Sequence, residues 1–90
     1  MIGRQVFYEG RVQGVGFRYT VRQIAKGFEV VGCIKNLDDG RVELQASGEA
    51  DEMRDFLQAI RDSELGSFIK AATEHDMVPL EKARGFEIAF

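Results

Sequence analysis

Between Gly10 and Arg18 the chain has to change conformation twice within nine residues. Ahead of this segment, Arg4 to Val12 alternates with Val6, Tyr8 and Val12 on one face, the pattern of a half-buried strand. Behind it, Phe17, Val21, Ile24 and Ala25 recur at helical spacing. Gly10, Gly14 and Gly16 interrupt the stretch between, and glycine permits the torsions that a tight turn needs. A strand that turns into a helix in this way leaves the first amides of the helix without intrahelical acceptors. Those amides, helped by the helix dipole, favour an anion. Arg18 stands at that helix start and adds a forked, permanent charge matched to phosphate or carboxylate oxygens.

The remaining pattern defines the architecture. Gly27 is placed to stop the first helix, and Phe28 to fold back on its last turn. Glu29 to Asn36 carries Val30, Val31 and Ile34, a β-branched run that predicts a second strand. Asp38-Asp39-Gly40 predicts a hairpin turn. Arg41 to Ser47 then alternates, with Val42, Leu44 and Ala46 inward and Glu43, Gln45 and Ser47 outward. A second helix is expected from Ala50 to Asp62, with Met53, Phe56, Leu57 and Ile60 as its apolar stripe. Glu49, Asp51 and Glu52 at its start and Arg61 near its end suit the dipole. Phe68 to Thr73 reads as a strand, whereas Pro79 argues against a central strand and leaves Glu74 to Arg84 as a loop or ragged edge. Gly85 to Phe90 alternates and closes the chain. The order predicts an α+β fold, a ferredoxin-like α/β sandwich: βαββαβ plus a C-terminal edge strand, with a mostly antiparallel sheet and two helices on one face. Residues 1–90 are expected to form a single domain.

Composition excludes several function classes. No 18-residue apolar run and no N-terminal apolar region occur, so neither membrane spanning nor secretion is expected. Cys33 is the only cysteine and cannot form an internal disulfide, which suits a reducing cytoplasm; it reads as a small buried hydrophobe. A net charge of −3 and a pI near 5.1 argue against general nucleic-acid binding. Charge is uneven, however. Residues 1–41 hold seven basic and four acidic side chains, and residues 42–90 hold five and eleven. Positive charge gathers in the half that holds the glycine-rich turn, which points to a small anion.

The chemistry available is narrow. The amides of Gly14, Val15, Gly16 and Phe17 are expected to turn inward around phosphoryl oxygens, with Arg18 at the mouth of the nest. The spacing matches neither a Walker A loop nor a dinucleotide fingerprint. Asn36, at a strand end before a hairpin, reads either as a turn asparagine or as a neutral amide that holds a water. His75, beside Asp76 in a loop-like region, reads as a surface residue, and no histidine or cysteine cluster has metal-ligand spacing. Any reaction is therefore expected to proceed without a metal or a strong base.

At these residues the chain resembles the acylphosphatase family. Gly10-Arg11-Val12-Gln13-Gly14-Val15-Gly16-Phe17-Arg18 is similar to the family's phosphate-binding signature, which ends in its catalytic arginine. Gly32-Cys33-Ile34-Lys35-Asn36, with Gly40, Val42 and Gly48, is similar to its second signature, whose asparagine is catalytic. The resemblance covers nearly the whole chain, including the spacing of 18 between Arg18 and Asn36. It implies the ferredoxin-like fold and hydrolysis of acyl phosphates to carboxylate and inorganic phosphate. It also implies Arg18 and Asn36 as catalytic residues, with Gln13, Gly14, Val15, Gly16, Phe17 and Arg18 holding the phosphate. No cofactor, metal, nucleic acid or membrane is implied, and a cytoplasmic monomer is expected. A carboxylate of pKa roughly 4 leaves without a general acid. Two positions depart from the family: Cys33 replaces a usual aromatic and leaves a smaller side chain near the site, and Leu37 follows the asparagine where Ser or Thr is common.

Two other readings compete. One is a non-catalytic ferredoxin-like module that binds RNA or a small anionic ligand. RNA recognition by this architecture uses aromatics on the central strands, and Arg41 to Gly48 has none. The other keeps the cradle within a domain that serves a larger carbamoyl-transferring assembly.

Overall fold

Alternation at the start of the chain builds β1 (Ile2–Gly10), whose Val6 and Tyr8 are almost wholly buried. In the structure, a computed structural model that describes residues 1–89, there follow α1 (Phe17–Ala25), β2 (Val30–Asn36), β3 (Val42–Gly48) and α2 (Ala50–Asp62). One turn of 3-10 helix (Glu64–Phe68), β4 (Ile69–Met77) and β5 (Phe86–Ile88) complete it. The strands form one sheet in the order β4-β1-β3-β2-β5. All neighbours are antiparallel except β2 and β5, which run parallel. This is the α+β ferredoxin-like arrangement that the element order predicts, with its C-terminal edge strand.

Both helices cover one face of the sheet. Val21 and Ala25 from α1, and Met53, Phe56 and Ile60 from α2, bury against Val6, Tyr8, Ile34, Val42 and Leu44. Each such side chain contributes about 1.5–3 kcal/mol on leaving water. Phe56 is fully buried, and its ring lies 5.9 Å from Phe28 and 5.8 Å from Phe86, joining the end of α1 to α2 and β5. Ser63 ends α2: its hydroxyl donates to the Ile60 carbonyl at 2.6 Å and accepts from the Leu65 amide at 3.1 Å.

Four local expectations change. Val12 lies beyond β1, after a register break between Glu9 and Gly10, yet it is fully buried. Of the two readings for Glu74 to Arg84, a loop or a ragged edge, the edge holds as far as Met77, which pairs with β1 opposite Gly3. Pro79 follows this edge strand and therefore removes no donor from its ladder. β5 spans only three residues, and Phe90, expected within it, lies outside the described residues.

The last change concerns Glu43 and Ser47, which are outward on β3 but nearly buried. Glu43 accepts from Gln5 Nε2 at 2.6 Å and Gln45 Nε2 at 2.9 Å, with Lys35 Nζ at 3.6 Å. Ser47 Oγ accepts from the Leu80 amide at 2.8 Å. A polar network and the chain after β4 thus cover part of the face opposite the helices.

Candidate functional site

The 11–16 segment is held at both ends. The Arg11 amide donates to the Phe68 carbonyl at 3.0 Å, and the Gly16 carbonyl accepts from the Thr20 amide at 3.0 Å to open α1. Beneath it, Val12 and Phe17 are buried, and the Phe17 ring lies 5.2 Å from that of Tyr8. Gly14 and Gly16 adopt φ of 80° and 74°, torsions that side chains resist, and a Cβ at either would meet nothing within 4 Å. Torsion therefore selects glycine here, and the space above the loop stays open. Among the described residues the N–H groups of Gly14, Val15 and Gly16 meet no acceptor.

Asn36 closes β2 opposite Val42. Its Oδ1 is buried and has no hydrogen-bond donor among the described residues. A buried acceptor left in this state costs about 1–3 kcal/mol. The next residue, Leu37, carries no hydroxyl to satisfy it.

These elements enclose a cavity of about 240 Å³, with Val12 and Phe17 at its base and Gly14, Gly16, Arg18 and Asn36 on its wall. Arg18 and Asn36 thus meet one space. Gln13 and Val15 are not on that wall. The Gln13 side-chain amide donates to the Leu37 carbonyl at 2.8 Å and the Arg41 carbonyl at 3.0 Å, and Val15 packs against the core. Tyr19 and Ile88 complete the wall, and sequence reasoning missed both. Tyr19 was signalled only by standing next to Arg18, and Ile88 only by alternation in the last strand.

The turn after Asn36 is braced locally. The Leu37 amide donates to the Arg41 carbonyl at 2.8 Å, and Asp39 accepts from the Arg41 amide at 3.0 Å and from its Nε at 2.8 Å. The Arg41 amide, and then its guanidinium, hold the Asp39 carboxyl below the usual carboxylate range.

Cys33 and His75 lie away from the cavity. Cys33 sits on the opposite sheet face beside Gln45 and Glu87, half-buried and not fully so, which corrects its expected place near the site. Burial, and then Glu43, push its thiol up, so it stays neutral. His75 is exposed on β4 and meets Phe7 edge-on at 5.9 Å. No group of three or more potential metal ligands gathers among the described residues, and no helix there is long and apolar enough to cross a membrane.

Fold and site together define a small α+β domain that sets a glycine-rich loop and Arg18 against the neutral side-chain amide of Asn36. The family model Acylphosphatase matches residues 4–88. An acylphosphatase of Bacillus velezensis is 38% identical over the whole of both chains, and one of Archaeoglobus fulgidus is 36% identical over the same extent. The crystal structure of acylphosphatase from Bacillus subtilis covers all of both chains with a TM-score of 0.90 at 34% identity. The chain belongs to the acylphosphatase family.

Proposed function

We propose that Arg18 and the amides from Gln13 to Phe17 hold the phosphoryl group of an acyl phosphate while Asn36 orients the attacking water. As an acylphosphatase the chain is a hydrolase of the carboxyl–phosphate anhydride. The water oxygen bonds to phosphorus, the bond from phosphorus to the acyl oxygen breaks, and the electron pair leaves on the carboxylate. The water's proton passes to a phosphoryl oxygen of the substrate. Arg18 and the amides stabilise charge on the phosphoryl oxygens, the main task in this kind of transfer. The carboxylate needs no proton to depart.

One observation carries this assignment: Asn36 lines the same cavity as Arg18, Gly14 and Gly16. A water held in that cavity by the Asn36 side chain stands where attack requires it. The Gln13 side chain acts here by bracing the turn, leaving phosphate contact to the backbone.

The same proposal takes residues 1–90 as one domain working as a cytoplasmic monomer without cofactor or nucleic acid. The acidic balance and the lack of aromatics on β3 support it. Phosphate release from acetyl and benzoyl phosphate tests the reading. Turnover of both is expected; labelled RNA bound without any turnover would favour the binding module instead.

A further inference from the structure

Two further residues line the cavity that contains Arg18 and Asn36. Tyr19 forms part of its wall although it is 56% exposed, and Ile88 stands with it. Neither has a task in phosphoryl transfer. The Arg22 guanidinium lies over the Tyr19 ring, 5.2 Å from its centroid. Arg22 also opens a second cavity of about 470 Å³, bounded by Ala25, Lys26, Phe28 and Phe86.

Both cavities run between α1 and β5. Arg18, Tyr19, Arg22, Ala25 and Lys26 follow one another along the helix and its C-terminal cap. Phe86 and Ile88 are two residues apart on β5 and so share a face. Phe28 and Phe86 rest on the buried ring of Phe56, which makes the floor apolar and firm.

Two cations, Arg22 and Lys26, stand along this groove. Among the described residues neither Arg22 nor Lys26 has a carboxylate within ion-pair distance. In the cleft between α2 and β4, by contrast, Arg4, Arg54 and Arg61 pair with Asp76, Asp55 and Glu74. Basic residues do suit a helix C-terminus. Here they also border the apolar cavity that comes next along α1 after the one holding Arg18.

We infer that this groove is the acyl subsite and takes acyl groups with an apolar body and a distal carboxylate. Tyr19 and Ile88 flank the body next to the anhydride, and Arg22 and Lys26 receive the carboxylate. The assignment rests on the cradle being the phosphoryl site. Helical rise places Arg22 and Lys26 about 6 and 12 Å beyond Arg18. An extended chain advances roughly 1.2 Å per bond, as a polypeptide backbone does. The acyl group therefore spans about five to ten bonds.

The test compares kcat/KM for acetyl phosphate, hexanoyl phosphate and adipoyl monophosphate, in the wild type and in the Arg22→Gln, Lys26→Gln double variant. Hexanoyl phosphate is expected to exceed acetyl phosphate, and adipoyl monophosphate to exceed hexanoyl phosphate by about fivefold at low salt. The double variant should bring the adipoyl-to-hexanoyl ratio close to one while the hexanoyl-to-acetyl ratio persists. An adipoyl-to-hexanoyl ratio near one in the wild type overturns the subsite and leaves the hydrolase reading standing. So does a ratio that the double variant preserves within twofold, including the case in which all three substrates weaken together. Failure of the wild type to turn over any of the three overturns the hydrolase reading, and the subsite with it.

Discussion

Gln13 and Leu37 are joined by a 2.8 Å hydrogen bond from a side-chain amide to a main-chain carbonyl, and the same nitrogen donates to the Arg41 carbonyl at 3.0 Å. One side chain of the glycine-rich loop thereby clasps the turn that follows Asn36. The two halves of the candidate site come from separate elements, so their relative position depends on such a tie.

Loss of this clasp should show in rate before it shows in fold. Gln13→Met removes two hydrogen bonds, each worth about 0.5–1.5 kcal/mol. Gln13→Glu is worse, because it sets a carboxylate against two carbonyl acceptors. Turnover should fall by roughly tenfold in the first and further in the second, with melting temperature falling in the same order. Equal values for the two variants would contradict a clasp that works by donation.

Much of the fold was legible from pattern. Met53, Phe56, Leu57 and Ile60 located α2 because its buried stripe is regular. The Gly14 and Gly16 torsions were legible because few other residues tolerate them. β4 was shortened because Pro79 argued against a central strand, and on this exposed edge Glu74, His75 and Asp76 gave no alternation to set against it. Gln13 was read as a phosphate contact, since its acceptors are backbone carbonyls 24 and 28 residues away that no pattern marks. That Asn36 Oδ1 has no donor among the described residues was equally hidden, because it depends on what the fold places beside it.

Arg18→Ala should abolish detectable turnover and raise the phosphate inhibition constant. Arg18→Lys should recover little, because a point charge cannot reproduce the planar fork of a guanidinium. Steady-state kinetics decide this, and a lysine variant within twofold of the wild type would contradict the role given to Arg18.

Inorganic phosphate should compete with substrate and stabilise the folded protein. At ten times its dissociation constant, linkage supplies about 1.4 kcal/mol, a rise of roughly 5 °C or more in Tm for a domain of this size. Phosphate that shifts Tm of the wild type and of Arg18→Ala alike would be binding elsewhere.

Glu43 should make stability sensitive to acid. Burial works to raise its pKa, but hydrogen bonds from Gln45 and Gln5, and then the Lys35 charge, outweigh burial and hold it below the ordinary glutamate value. A depressed folded pKa stabilises fully above the unfolded pKa, about 4.3, and that contribution is lost as pH falls through the folded value. Between pH 7 and 3, Tm of the wild type should therefore fall more steeply than that of Glu43→Gln. Parallel curves would remove Glu43 from the acid response.

Asn36→Ala separates water positioning from phosphate binding, which is the centre of the account. In one preparation, turnover of acetyl phosphate and the inhibition constant for inorganic phosphate are measured side by side. Turnover should drop by about two orders of magnitude or more, the scale of losing a positioned polar group. Phosphate inhibition should stay within a few-fold of the wild type, because Arg18 and the loop amides remain. Normal turnover in the folded variant, or loss of phosphate binding together with turnover, would contradict the assignment.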